Sequence, residues 1–170
     1  MRNGEQIESP SMGLRLIWRE MTADVLSVDL AMRAGAPVIP MHVHPRQEER
    51  ITVLSGTVSS RSGGRERILQ VGDSVVTPAG EAHTIEPAER DAEVHAELRP
   101  ALGYAEFIER SFALDRAGHV SARGRVNPLR MAATGPADAE FYLAALPVGL
   151  QKPLLRLLAR VGRARGYATS

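Results

Sequence analysis

His42-Val43-His44-Pro45-Arg46-Gln47-Glu48-Glu49, answered further along by His83, decides how this chain is read. Three of its five histidines and a carboxylate fall within 42 residues, in a region otherwise built of short strand-like runs. On a strand, residues i and i+2 point the same way, about 6.6 Å apart along the chain. His42 and His44 therefore present two imidazoles on one face, and both can reach one ion at about 2.0–2.1 Å. Pro45 lacks a ladder donor and breaks the strand, so the loop Pro45-Arg46-Gln47 resets the phase. A new strand starting near Glu49 can then face the same interior. Glu48 is the rival carboxylate; adjacent strand residues face opposite sides, so only one of the pair points inward. The turn Pro78-Ala79-Gly80 can bring His83 back over the first two histidines. Three imidazoles and a carboxylate suit a divalent transition metal that keeps one or two positions open.

Outward from this stretch, the grammar from Leu14 to Leu98 is that of short strands punctuated by Gly and Pro. Leu14–Trp18, Val25–Leu30, Pro37–His44, Arg50–Leu54, Thr57–Ser60, Arg67–Val71, Ser74–Thr77, His83–Ile85 and Ala92–Leu98 are the runs, and Gly63-Gly64 is a hairpin turn. Eight to ten strands with no helix among them predict an antiparallel sandwich or barrel. Residues 1–13 read as a loose arm. After Pro100 the period changes: Leu102–Arg116 reads as a helix, 117–137 as a connection with a short extended piece at Leu129–Ala132, and Ala137–Leu146 as a short helix. Leu150–Ala164 is a clearer helix. Its apolar residues 150, 154, 157, 158 and 161 share one face, and Arg156, Arg160 and Arg163 share the other. Pro153 requires that helix to start near it. The domains are therefore an arm (1–13), a β-barrel (14–100) and a helical extension (101–170) packed on the barrel or a partner subunit.

Composition narrows the function classes. The chain has no cysteine, which excludes disulfides and thiolate metal sites. No apolar run reaches the ~18 residues of a membrane span, and Met1–Pro10 carries no signal-peptide core, so a cytoplasmic protein is expected. The net charge of +1 hides a split: residues 1–115 carry 12 Arg against 18 acids, and 116–170 carry 9 Lys or Arg against 2 acids. A basic part docking on an acidic part, of its own chain or a partner's, explains this more simply than nucleic acid, for which aromatic interleaving and a reading motif are lacking. Helix 150–165 could lie on an anionic membrane surface. A helix of this pattern more often packs its Leu face on its own domain or a second subunit, and that packing is the expectation here.

The spacings resemble those of the cupins, small β-barrel jelly rolls. Their first motif is Gly, a short gap, His-x-His, three or four residues, Glu, six residues, Gly. Here it runs Gly35, six residues, His42-Val43-His44, four residues, Glu49, six residues, Gly56. Their second is Gly, five residues, Pro-x-Gly, two residues, His, three residues, Asn. Here it runs Gly72, five residues, Pro78-Ala79-Gly80, two residues, His83, then Pro87 in place of Asn. The gap after Gly35 is one residue longer than the usual five, and neither departure touches a ligand. The register favours Glu49 over Glu48.

The resemblance covers residues 14–99 and implies a mainly β jelly-roll barrel with C-terminal α-helices, in which His42, His44, Glu49 and His83 hold Fe, Mn, Ni or Zn. It implies a metal-dependent enzyme on a small oxygenated organic substrate, a dioxygenase or an isomerase or cyclase. The alternative is a non-catalytic small-molecule-binding module acting through a partner. The mixed shell argues for iron or manganese over a structural zinc. Arg46 and Gln47, beside the ligands, are candidate substrate-binding residues at the mouth. His95 and His119 are expected to face solvent. A homodimer paired by barrel edges is expected, since an open sheet edge needs cover. The basic helices could also recruit the barrel to a larger biosynthetic assembly.

Overall fold

Alternation sets the barrel. In β10 (Ala92–Arg99), Ala92, Val94, Ala96 and Leu98 are buried while the residues between them are not. The strand's two-residue period thus delivers one apolar face to the core. The computed structural model describes residues 3–135 and 139–167. Among them the strands are β1 (Gln6–Ser9), β2 (Leu14–Met21), β3 (Leu26–Met32), β4 (His42–Val43), β5 (Glu48–Ser55), β6 (Val58–Ser62), β7 (Arg65–Leu69), β8 (Ser74–Thr77), β9 (His83–Pro87), β10 and β11 (Tyr142–Leu143). The helices are α1 (Tyr104–Arg116), α2 (Pro128–Thr134) and α3 (Val148–Ala164), and a 3-10 turn covers Pro10–Met12.

The strands form two antiparallel sheets, ordered β1-β2-β3-β10-β5-β8 and β11-β4-β9-β6-β7. Leu16, Trp18, Val28, Ile51, Val53 and Val94 of the first meet Val58, Leu69 and Ile85 of the second in one core, which Phe112 of α1 joins. Gly56, at the β5–β6 corner, has φ +73°, and a Cβ there would lie 2.6 Å from the Asp91 carbonyl oxygen, so the corner requires glycine.

Four expectations are corrected. Residues 6–9 of the arm are a strand: Ile7 pairs with Leu16 and is buried, and the Ser9 hydroxyl and Ser11 N–H both donate to Asp115 of α1, at 2.6 and 2.9 Å. Only His42–Val43 of the stretch 37–44 pairs as strand, because Pro37 and Pro40 cannot supply ladder donors. Leu129–Ala132 lies in helix α2, capped by Asn127, whose side chain accepts from Leu129 N and Arg130 N, with Pro128 in the first turn. Of the expected helix 137–146, residues 137 and 138 lie outside the described residues, and 142–143 form β11 on the edge of β4.

α3 departs from expectation twice. It begins at Val148, so Pro153 sits inside it and leaves the Gly149 carbonyl without its helical donor. It also packs by its small residues. Gln151, Ala159 and Gly162 are buried, whereas Leu150, Leu154, Leu157 and Val161 are exposed. A Cβ on Gly162 would overlap the Leu129 carbonyl oxygen and come within 2.9 Å of Ala133 Cβ. The close approach of α2 and α3 thus depends on glycine at that crossing and turns the leucines outward.

Candidate metal centre

The antiparallel pairing of β4 with β9 sets His42 directly opposite His83. His44 follows two residues on, just past β4. β5, in the other sheet, supplies Glu49, so the cluster bridges the two sheets. Glu48 is exposed and Glu49 turns inward, as alternation requires. One ligand atom from each of His42, His44, Glu49 and His83 lies within 4.8 Å of all the others, and the group is positioned to bind a metal ion.

The hydrogen bonds fix the ring tautomers. His42 Nδ1 lies 2.9 Å from the Pro40 carbonyl, His44 Nδ1 2.6 Å from the Glu140 carbonyl, and His83 Nδ1 3.0 Å from the Glu81 carbonyl. A carbonyl only accepts, so each Nδ1 carries a proton and donates it. Each neutral ring is then left with its lone pair on Nε2. His42 Nε2 and His44 Nε2 stand 3.1 Å apart. Two such lone pairs repel unless a proton or cation lies between them. Backbone carbonyls that orient imidazoles by the far nitrogen are the usual support of metal-ligating histidines. The donor set therefore fits a divalent cation.

Electrostatics points the same way. Burial, and then the neighbouring His83, hold His42 far below its ordinary value, at about 3. Burial also lowers His44 and outweighs the opposing pull of Glu49. For Glu49 burial acts upward, but the His83 hydrogen bond and the three imidazoles win and bring it to about 2. For His83 burial acts downward, and the Glu49 bond, at 2.5 Å, overrides it and moves the ring up. The Glu49 bond thus favours a proton on the His83–Glu49 pair, and burial favours the neutral form of His42 and His44.

The helical extension builds one wall of the site. Phe141 stacks on His42 with centroids 4.4 Å apart, and Tyr104 of α1 meets His44 in a T-shaped contact at 4.9 Å. Phe107 stacks on both Phe141 and Tyr104. Burial, reinforced by the charge of Glu49, pushes the Tyr104 hydroxyl up, so it stays protonated. Glu140 is 2% exposed, and its carboxylate Oε1 accepts from Arg46 Nε and Nη2, at 3.0 and 2.8 Å, with Lys152 at 3.9 Å. None of Tyr104, Phe107, Glu140 and Phe141 belongs to the motif. Their signal is scarcity: the chain has only seven Phe, Tyr and Trp, and Glu140 is one of two acids after residue 115.

Arg46 is engaged by Glu140. Gln47 is 1% exposed, and its amide nitrogen donates to the Pro100 and Ala101 carbonyls, 2.9 Å each, tying the start of β5 to the turn before α1. His119 is exposed. His95 is half-buried rather than free: its Nδ1 lies 2.7 Å from Asp29 Oδ1, and Arg19 holds the other oxygen of that carboxylate. Two surface hollows, one lined by Met12, Met32 and Ile85 and the other by Glu8, Arg15 and Asp91, include none of the four ligands.

A family model described as "Cupin domain" matches residues 29–96, which contain all four ligands. KdgF from Halomonas sp. is 26% identical, with 56% of this chain and 86% of that chain covered and a TM-score of 0.52. An RmlC-like cupin from Shewanella frigidimarina NCIMB 400 is 21% identical, with 58% and 85% covered and a TM-score of 0.51, a likeness of fold. No curated protein matches the chain.

Proposed function

We propose that the protein, whose residues 29–96 match the cupin-domain model, is a metal-dependent enzyme that dioxygenates, isomerises or cyclises a small oxygenated organic molecule. The observation that carries this reading is the orientation of the three imidazoles. Each Nδ1–H is spent on a backbone carbonyl, so the three Nε2 atoms face one another beside the Glu49 carboxylate, which holds His83 Nε2 at 2.5 Å. A bound Fe, Mn, Ni or Zn ion would supply Lewis acidity to chelating substrate oxygens and, if redox-active, access to O₂ chemistry. The mixed nitrogen and oxygen shell favours iron or manganese.

The residues around the ligands do the rest. Phe141, Phe107 and Tyr104 stack in a row beside the ligands and form an apolar wall against water. Tyr104, held protonated, donates a hydrogen bond to a developing negative charge and does not serve as a base at neutral pH. Arg46 braces the wall through Glu140, and Gln47 is committed to backbone carbonyls.

Elemental analysis of freshly purified protein, then oxygen uptake and product formation with phenolic, diketone and polyketide-like substrates, tests the proposal. Turnover that requires metal and is lost in His83→Ala supports it. Protein that is metal-free and keeps its melting temperature when Fe(II), Mn(II), Ni(II) and Zn(II) are added refutes it. Metal and ligand binding without turnover would instead indicate a non-catalytic binding module.

A further inference from the structure

The apolar stripe of α3 is uncovered. Leu150, Leu154, Leu157 and Val161 recur at intervals of four, three and four, which keeps them within an arc of about 60° along roughly 16 Å of helix. All four are exposed, Leu150 at 65% and Leu157 at 57%, and Leu146 in the preceding turn extends the patch. The opposite face is spent: Gly162 lies against α2, Ala159 is buried, and the Gln151 side chain bonds the Leu143 and Leu146 backbone. The fold thus uses the small-residue side of α3 for itself and presents the large aliphatic side to its surroundings.

Charge selects the occupant. Residues 148–167 contain Lys152, Arg156, Arg160, Arg163 and Arg165 and no acidic residue. The four arginines are exposed. On the helix, Arg156 and Arg160 flank the stripe on one side and Arg165 on the other. A second copy pairing stripe to stripe would set these arginines against their equivalents, with no carboxylate on either helix to match them. A sheet of anionic headgroups matches all of them, and a helix whose backbone bonds are internal can lie in such a surface.

We infer that α3 docks the protein on an anionic lipid surface, with Leu150, Leu154, Leu157 and Val161 at the acyl boundary and the arginines on the headgroups. The inference does not depend on the metal chemistry.

The test is flotation of the full chain with phosphatidylcholine vesicles, with and without phosphatidylglycerol. Binding is expected only to the anionic vesicles and should weaken with salt. Arg156→Gln with Arg160→Gln should reduce affinity about 30-fold, and Leu154→Gln with Leu157→Gln by at least that much. These side chains are exposed, so circular dichroism and metal content should match the parent. Four results overturn the inference: no flotation with either vesicle, equal flotation with both, binding unchanged in the variants, or no flotation while the leucine pair converts a dimer to monomer in sedimentation. The last would assign the stripe to a second copy.

Discussion

Arg46→Ala separates two roles for that arginine. Its guanidinium forks onto Glu140 Oε1 through Nε and Nη2, and Glu140 is almost wholly buried, its Oε2 without a hydrogen-bond partner among the described residues. Without Arg46, the cation left beside Oε1 among the described residues is Lys152, at 3.9 Å. Stranding one partner of a fully buried ion pair costs about 3–5 kcal/mol. Arg46 is itself 57% exposed, which lowers the expected cost to roughly 1–3 kcal/mol. For a chain of this size a loss of about 2 kcal/mol is a fall of about 4–8 °C in Tm. The Glu140 backbone carbonyl orients His44, so loosening Glu140 should weaken metal binding about 10- to 100-fold. Arg46→Ala with Glu140→Gln should recover most of the stability, because the stranded charge is gone. Calorimetry and chelator competition read both quantities. If Arg46→Ala keeps its Tm and metal affinity but raises KM for a turned-over substrate, the bracing role is refuted and Arg46 belongs to substrate.

Gly162→Ala should force α2 and α3 apart and cost about 1–3 kcal/mol, seen as a lower Tm and faster proteolysis within residues 142–167. Metal affinity should rise with pH until it passes the raised value of His83 and then level off. Below that value each ion displaces the proton shared by His83 and Glu49, and proton release in calorimetry should track the rise. For Asp115, burial acts upward and the bonds from Ser11 and Ser9 prevail, so its carboxyl lies below its ordinary 3.8. Its contribution is therefore full above that value and lost as pH falls through the folded-state value. Asp115→Asn should lower Tm at neutral pH and flatten the acid limb of the stability profile.

Much of the barrel is visible in the chain because strand period and turn residues act locally. Ser74–Thr77 is strand β8 with the same bounds, and Gly63-Gly64 turns β6 into β7. β1 is less visible: a single Ile7 among polar residues has no readable period, and its strand exists because Leu14–Trp18 offers it an edge. α2 was visible in principle, since Asn127-Pro128 is a cap followed by the favoured first-turn residue. The outward leucines of α3 were not. A helical wheel locates the apolar face, but the face that packs was decided by how closely Gly162 lets α2 approach.

The site shows the same division. Two-residue spacing and loop phase place His42, His44 and Glu49 from short-range rules, but the wall comes from residues far along the chain, with Glu140 96 positions from His44. β11 adds to the edge of β4, and that pairing seats Phe141 on His42 and the Glu140 carbonyl on His44. No local period announces a two-residue strand. The charge asymmetry meets at this junction: Glu140 is gripped by Arg46 from the acidic part and approached by Lys152 from the basic one. The extension is therefore part of the centre's construction. A barrel cut after residue 100 would keep all four ligands yet lose the acceptor that sets the His44 tautomer, freeing that ring to turn its lone pair away from the other three.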